Sequence, residues 1–298
     1  MLAFTMININ LFSQGVIGMN RLFKLGATVA LCAPANLPFP LFTDDYKKSA
    51  DLLKAIGYDT MEVHLRAPQM VDGPDIKAFC DSIEIGISSI GTGQAYGAEG
   101  LSITSESVTL RKAAVQRLKD HLDLAKVLDC PVIIGSMRGC IAHDGSFEKI
   151  NSLMLESMKE LADYAERTGT EIVIEAIDRF ETNYLQTADD VLELIDVLGS
   201  NRVLVHLDTY HMNLEEQNWR TPILKCRGKL GHVHLADNKR YYPGWGLIDF
   251  RPILTYLKEI GYDRSLTLEC YPYPNGVTCL KRGMKYLDGI MASLTCND

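Results

Sequence analysis

The sequence has no cluster of basic residues, no CxxC pair, no GxGxxG motif and no apolar run long enough to cross a bilayer. Its formal net charge is −8, so it offers no basic surface to neutralise phosphates, and we expect no nucleic-acid partner. The eight cysteines are scattered, and several lie in apolar runs, which predicts reduced thiols in a cytoplasmic protein. We therefore expect neither a disulfide framework nor a membrane anchor.

What the sequence does contain is an alternation of short apolar runs with longer amphipathic segments. Residues 1–20 are predicted to be an N-terminal extension or arm, and residues 21–298 one catalytic domain. From Leu25 onward the alternation is typical of parallel strands joined by crossover helices. The predicted strands span 27–32, 60–65, 86–92, 131–136, 171–176, 202–208, 231–237 and 265–270.

Eight such units without a linker predict a closed (β/α)8 TIM barrel of the α/β class. A doubly wound open sheet is the structural alternative, but "ALCAPANLP" stands where that fold carries its glycine-rich motif. Helix ends are marked by Thr43 and Thr187 before acidic first turns, and by glycines at or just past the C-termini. Those glycines are Gly57, Gly169, Gly199 and Gly261.

The last four predicted strands each end with a residue that can bind a metal ion. Catalytic groups of such barrels lie at the carboxyl ends of the strands, and alternation along a strand lets each of these side chains point inward. Taken singly, each is more often a solvated strand end, a helix cap or a hydrogen-bonded core residue. Four in succession instead indicate one site, and they are Glu175, Asp208, His234 and Glu269.

Three carboxylates in one buried cup repel one another, and a divalent cation among them removes that conflict. A set of three oxygen ligands and one nitrogen favours Mn²⁺, with Co²⁺ or Mg²⁺ as the alternatives, over the cysteine-rich sites of structural zinc. His206 and His232, two residues before Asp208 and His234, are interpreted as packed within the barrel wall or supporting the site.

Four motifs in the second half of the chain resemble the D-tagatose 3-epimerase and D-psicose 3-epimerase family of xylose-isomerase-like barrels. They are "EAIDRFE" (175–181), "LDTYHMNLEE" (207–216), "GHVHLADNKRYYPGWGLIDF" (231–250) and "TLEC" (267–270). In the first half, "IGTGQAYGAEGLSIT" (90–104) and "VIIGSMRG" (132–139) are more similar to the 5-keto-L-gluconate epimerase branch. Two departures are Asp178, where the family usually has Asn, and Tyr210, where Phe is common.

The resemblance implies a metal-dependent ketose 3-epimerase that inverts C3 of a ketohexose or keto-hexonate through a cis-enediolate. It implies that the four strand-end residues bind the metal, and that Glu175 and Glu269 are also the acid/base pair. It further implies substrate contacts near the carbonyl end from Glu181, His211 and Arg240, together with a dimer or tetramer. From the sequence alone, Glu181 would be a helix-start carboxylate and Arg240 a solvated loop charge.

Two further residues are predicted to lie at the rim of the barrel. Arg138, just past the fourth strand, could pair with a substrate carboxylate and favour keto acids, or form a surface ion pair. Gln94 in "GTGQAY" is the second candidate for substrate contact.

Three other functions remain open at this stage. An aldose–ketose isomerase could use a similar metal cup on the same scaffold. An abasic-site endonuclease needs a multinuclear, histidine-rich site, whereas this chain has seven histidines and an acidic charge. A non-catalytic sugar-binding barrel would leave the acid/base pair without a role.

Overall fold

A computed structural model describes residues 21–31, 38–43, 45–143 and 145–295. The predicted extension at 1–20, Cys32 and Cys296 lie outside these residues. The strands are β1 (Leu25–Leu31), β2 (Leu41–Thr43), β3 (Thr60–His64), β4 (Gly86–Gly91), β5 (Val132–Ile134), β6 (Ile172–Glu175), β7 (Val203–Asp208), β8 (Leu230–Leu235) and β9 (Leu266–Leu268). All eight predicted strands are present, and β2 is a short addition that the sequence pattern did not indicate.

The sheet closes on itself. Its strands are all parallel in the order β2-β1-β3-β4-β5-β6-β7-β8-β9, and β1 also pairs with β9 through Gly26 and Thr267. β2 runs beside β1 as an edge strand, with Val29 opposite Leu41. Closure by eight strands confirms the predicted (β/α)8 barrel and excludes the open doubly wound sheet.

Helices cover the outside of the barrel. They are α1 (Tyr46–Ile56), α2 (Gly73–Ser82), α3 (Gly93–Glu99), α4 (Val108–Leu128), α5 (Phe147–Thr168), α6 (Ala188–Leu198), α7 (Thr209–Glu215), α8 (Arg220–Lys225), α9 (Phe250–Glu259) and α10 (Gly276–Thr295). Short 3₁₀ turns lie at Pro68–Met70 and Ser136–Arg138. Among the described residues, none of the helices combines the length and apolar character needed to cross a bilayer.

Most of the predicted helix-end signals are used. Thr187 forms a capping box with Asp190 at the start of α6, and Gly57, Gly169 and Gly199 end their helices with positive φ. Gly261, two residues past α9, is also left-handed, at φ +73°. The prediction for Thr43 is wrong, because Asp45 is the N-cap of α1 and its carboxylate accepts from two first-turn amides.

The interior of the barrel is unusually polar. Barrels of this type are usually filled by layers of branched apolar side chains. Here a hydrogen bond joins Glu62 on β3 to His232 on β8, and because these strands are not neighbours, it crosses the interior. Buried polar groups cost free energy unless they are paired, so such an interior points to a function rather than to stability. Fully buried polar residues on the strands include Thr28, Glu62, Ser89, His206, Asp208, His232, His234 and Thr267.

Candidate active site

The four predicted strand-end residues lie together. Glu175 and Asp208 are the last residues of β6 and β7, His234 is the penultimate residue of β8, and Glu269 follows β9. One ligand atom from each lies within 4.8 Å of the others, and all four side chains are buried. The strand ends therefore form one cup at the carboxyl end of the barrel, which is called the acidic cup below.

Two buried atoms in the acidic cup make no well-aligned hydrogen bond to a described residue; one lies 3.1 Å from the Arg240 guanidinium and the other 3.3 Å from Glu269 Oε2. They are Asp208 Oδ2 and His234 Nδ1, which lie 3.9 Å apart. The other donor or acceptor of each side chain is used, since Asp208 Oδ1 caps the Tyr210 amide at 2.7 Å and His234 Nε2 lies 2.9 Å from Glu62. A carboxylate oxygen and an imidazole nitrogen aimed at one point are the donor set that a divalent cation takes, so the residues fit the predicted metal.

Glu62 is the central residue that the strand-end pattern missed. Its Oε1 lies 2.5 Å from His64 Nε2 and 2.9 Å from His234 Nε2, and its Oε2 lies 2.6 Å from His232 Nε2. Ser89 donates to the same Oε2. Burial alone would raise the pKa of Glu62, but His234 and His232 outweigh it and hold the pKa well below its usual range.

This arrangement fixes which nitrogen of His234 is free. A carboxylate that receives Nε2–H leaves Nδ1 as an electron-pair donor facing the acidic cup, as second partners of metal-binding histidines do. The sequence signal was the alternation of Glu62 and His64 in "TMEVHL", which puts both on one face of the strand. A search confined to strand ends passes over it because Glu62 lies in mid-strand.

The two carboxyl groups of the predicted acid/base pair have different environments. Burial raises the pKa of Glu175 to about 7, and the carboxylates of Glu269 and Asp208 add to that effect against His211 and His234. Burial would also raise the pKa of Glu269, but His234 and Arg240 outweigh it and lower the pKa far below the usual range. A cation in the cup would favour the ionised form of both groups.

His211 and Arg240, the predicted substrate contacts, lie against the acidic cup. His211 Nδ1 lies 2.5 Å from Asp178 Oδ2, and its Nε2 accepts from Arg240 Nη1 at 3.0 Å. Asp178 therefore orients the imidazole, which is what its carboxylate adds where the resembling family usually has an amide. Nε2 of the same ring is 3.7 Å from Glu175 Oε1, so His211 borders the carboxylate that it would assist.

Arg240 is an interior residue rather than a solvated loop charge. Its guanidinium donates to Glu269, lies 3.1 Å from Asp208 Oδ2 and packs 4.8 Å from the Tyr210 ring centroid. The backbone at Arg240 is left-handed, with φ +57°, which a non-glycine residue adopts only where its surroundings require it. The positive charge is thus directed into the acidic cup.

A cavity of about 640 Å³ opens above the acidic cup. Glu175, Glu269 and His234 form part of its wall, which places it at the carboxyl ends of the strands. Glu181 and Gln94 also line it, Glu181 from the exposed chain after β6 and Gln94 from α3. The Gln94 amide donates to the carbonyls of Leu31 and His64 at 3.3 and 3.1 Å, so its nitrogen is engaged by the backbone.

The prediction that Arg138 meets a substrate carboxylate is wrong. Its side chain is fully buried, and its guanidinium donates to the backbone carbonyls of Gly135, Tyr184, Leu185 and Glu175. Burial lowers its pKa to about 10, so it remains charged at neutral pH. Arg138 ties β6 to the neighbouring loops, because the chain at Gly135 folds back into a 3₁₀ turn instead of reaching the rim.

His206 and His232 lie below the acidic cup. Both are fully buried, and the ring centroids are 4.9 Å apart. His206 makes no hydrogen bond to any described residue and packs 4.2 Å from the His234 ring, which supports the interpretation of wall packing. His232 instead holds Glu62 and so supports the site through that carboxylate.

An eight-stranded parallel barrel with buried carboxylates and a histidine converging at its carboxyl end belongs to the class of α/β barrel enzymes. Comparison with known proteins narrows this class. Residues 50–290 match the xylose isomerase-like TIM barrel family, and this chain belongs to that family.

Its relatives identify it as a carbohydrate epimerase, an enzyme of the isomerase class. It is 30% identical over 223 residues to the L-ribulose 3-epimerase of Methylomonas sp. (strain DH-1), which covers 72% of this chain and 74% of that protein. It is 25% identical over 244 residues to the D-psicose 3-epimerase of Enterocloster bolteae, covering 78% and 79%. A solved L-ribulose 3-epimerase structure shares the fold with a TM-score of 0.79 at 22% identity, covering 93% of this chain and 97% of that one.

Proposed function

We propose that this protein is a metal-dependent ketose 3-epimerase that inverts C3 of a ketohexose or keto-hexonate. The observation that carries the proposal is that Glu175, Glu269 and His234 line one cavity and that one ligand atom from each of these and from Asp208 lies within 4.8 Å of the others. The names of the relatives, an L-ribulose 3-epimerase and a D-psicose 3-epimerase, support a ketose as the substrate.

In this proposal Glu175, Asp208, His234 and Glu269 hold one divalent cation. Mn²⁺ is the preferred ion, with Co²⁺ or Mg²⁺ as alternatives, because three carboxylate oxygens and one imidazole nitrogen make a hard donor set. When bound, the cation supplies Lewis-acid polarisation of the ketone and the neighbouring hydroxyl, and so lowers the cost of negative charge on oxygen.

The chain's own carboxylates move the protons. β6 and β9 are three of eight steps apart, or roughly 135° around the barrel, so their carboxylates can flank the substrate from different sides. One ionised glutamate takes the proton from C3, and the electron pair of that C–H bond passes into the cis-enediolate. The other, protonated glutamate then donates its proton to the opposite face of C3, so the configuration inverts.

The remaining residues orient the substrate. Arg240 would donate to the oxygens on which charge develops, and His211 would do so through Nε2 in its protonated form, while Asp178 keeps the ring in place. Glu181 would accept from a terminal hydroxyl, and Gln94 would contact the sugar near the rim.

We further propose that the protein acts in the cytoplasm as a dimer or tetramer.

An assay in D₂O tests the function against its nearest rival, an aldose–ketose isomerase. The Mn²⁺-supplemented protein is incubated with ketohexoses, ketopentoses and keto-hexonates, and the products are examined by NMR. A 3-epimerase yields the C3-inverted ketose with one deuterium at C3 and no aldose. Aldose formation, or label at C1 alone, would instead establish the isomerase.

A further inference from the structure

One arginine on the cavity wall lies apart from the acidic cup. Arg66 comes two residues after His64, the last residue of β3, and lines the cavity together with His64. Two extended residues span roughly 7 Å, so Arg66 lies nearer the mouth than the strand end does. Its side chain is 49% exposed, in contrast to the buried groups of the acidic cup.

The neighbour that could neutralise Arg66 is already engaged. Glu99, at the end of α3, receives both terminal nitrogens of Arg117, at 3.0 and 3.1 Å. Arg117 also donates to the Arg66 carbonyl at 2.8 Å, which fixes the backbone of this segment. Arg66 itself forms only a loose surface ion pair with Glu99, in which Nε lies 3.5 Å from Oε1.

Arg66 and Arg117 thus share the single carboxylate of Glu99, so the three side chains together keep one positive charge beside the cavity. The Arg66 terminal nitrogens Nη1 and Nη2 make no hydrogen bond to any residue that the structure describes. The other arginine that lines the cavity, Arg240, is ion-paired with Glu269 and Asp208 in the acidic cup. A free guanidinium fork is suited to two-pronged binding of a carboxylate or phosphate.

We infer that Arg66 binds an anionic group on the end of the substrate remote from the reacting carbon. The inference rests on the proposed function, because a sugar held at C2 and C3 in the closed cup must direct the rest of its carbon chain toward the mouth. The substrate would then be a ketose that ends in a carboxylate or a phosphate. The residue that binds this anionic group would be the exposed Arg66 and not the buried Arg138.

The test compares three sugars of equal chain length on the Mn²⁺-loaded protein. D-Fructose is neutral, D-fructuronate ends in a carboxylate and D-fructose 6-phosphate in a phosphate. The wild type should turn over one of the two anions with a higher kcat/KM than D-fructose, and which anion it is identifies the group. Arg66→Gln should lower the ratio of that kcat/KM to the D-fructose value about 10- to 100-fold, mainly through KM.

Two further variants control the measurement. Arg66→Lys keeps the charge but not the fork and should recover part of the loss, whereas Arg227→Gln, on the outer surface, should change none of the three values. Equal losses on all three sugars in Arg66→Gln, or a wild type that prefers D-fructose, would overturn the inference while leaving the epimerase intact.

If the wild type epimerises none of the sugars, the proposed function fails, and binding decides the inference separately. Calorimetric titration of D-fructuronate and D-fructose 6-phosphate into the Mn²⁺-loaded wild type and Arg66→Gln should still show weaker anion binding in the variant. Equal affinities would refute the anion site as well.

Discussion

The two ends of the barrel contain cavities of nearly the same size, but the polar groups that line them are paired to different degrees. The cavity at the carboxyl end has a volume of about 640 Å³, and the one at the amino end about 650 Å³. At the amino end several of the polar groups are paired with one another. Arg264 forms a two-pronged ion pair with Glu171 at 2.6 and 3.2 Å, and Thr60 is hydrogen-bonded to Ser265 at 2.6 Å.

At the carboxyl end the pairing is incomplete. Asp208 Oδ2 and His234 Nδ1 are buried without a well-aligned hydrogen bond, beside two carboxylates with different environments. Volume therefore does not distinguish a reactive end from a structural one in this barrel. The distinguishing feature is the convergence of buried carboxylates and a histidine on one space, because such a set of like charges needs a ligand to offset the cost of its burial.

The largest expected difference between the two ends is catalytic. Glu269→Gln removes a proton carrier, so kcat for epimerisation should fall at least about 10³-fold, with some Mn²⁺ binding retained. The matched variant at the amino end, Glu171→Gln, loses an ion pair but no reacting group, and its kcat should stay within about twofold of wild type. Steady-state kinetics on one ketose measures both variants. Comparable losses in the two variants would remove the distinction between the ends.

Arg138 shows that a buried charge near the active end can be purely structural. Arg138→Met leaves several buried carbonyls without their donor, and we expect the free energy of unfolding to fall by about 3–5 kcal/mol. Because the guanidinium does not reach the cavity, the kcat/KM ratio of D-fructuronate to D-fructose should remain within about twofold of wild type. Urea unfolding and the two-substrate assay are the measurements. A fall in kcat/KM for D-fructuronate but not for D-fructose would show that Arg138 contacts the substrate carboxylate.

The difference between Arg138 and the four cup residues explains how far the sequence could predict the site. Glu175, Asp208, His234 and Glu269 occupy strand ends, and strand position together with alternation determines direction in a closed barrel. Arg138 follows a strand too, but the chain turns immediately at Gly135, and nothing in the local pattern reports that turn. The fold was predictable because eight apolar strands that alternate with amphipathic helices have few ways to form one parallel sheet.

Glu62 and Arg66 illustrate what a one-dimensional pattern leaves out. The importance of Glu62 comes from partners on β8, about 170 positions away in the chain, and such cross-barrel pairing has no local signature. The importance of Arg66 depends on Glu99 being taken by Arg117, which is a property of three side chains in space. In both cases the partner decides the role.

His121 provides a buried histidine that lines neither cavity. It lies in α4, where its Nδ1 is 2.8 Å from the Arg117 carbonyl, and burial lowers its pKa to about 4. The unfolded chain, with a pKa near 6.5, then binds more protons than the folded one between these values. The contribution of His121 to stability is therefore complete above about pH 6.5 and decreases toward pH 4 by about 3 kcal/mol.

His121→Gln should accordingly flatten the dependence of unfolding free energy on pH over this interval in the metal-free protein. Replacing the exposed His143 by Gln provides the control for the loss of one histidine, and neither variant should alter kcat at pH 7. Chemical denaturation at several pH values measures the slopes. An unchanged slope in His121→Gln would mean that the ring is not held neutral by the fold.

The smallest expected effect concerns the support beneath the acidic cup. Glu62→Gln keeps the size of the side chain but removes the charge that holds Nε2–H of His234, so Nδ1 loses both orientation and basicity. Partners of this kind usually contribute 10- to 100-fold to metal affinity, and we expect the Kd for Mn²⁺ to rise by that factor. Calorimetric titration measures it, with Glu171→Gln as the control that should bind Mn²⁺ like wild type. If Glu62→Gln binds Mn²⁺ as tightly as wild type, the polar interior is not part of the site, and the contrast between the two ends reduces to the four cup residues.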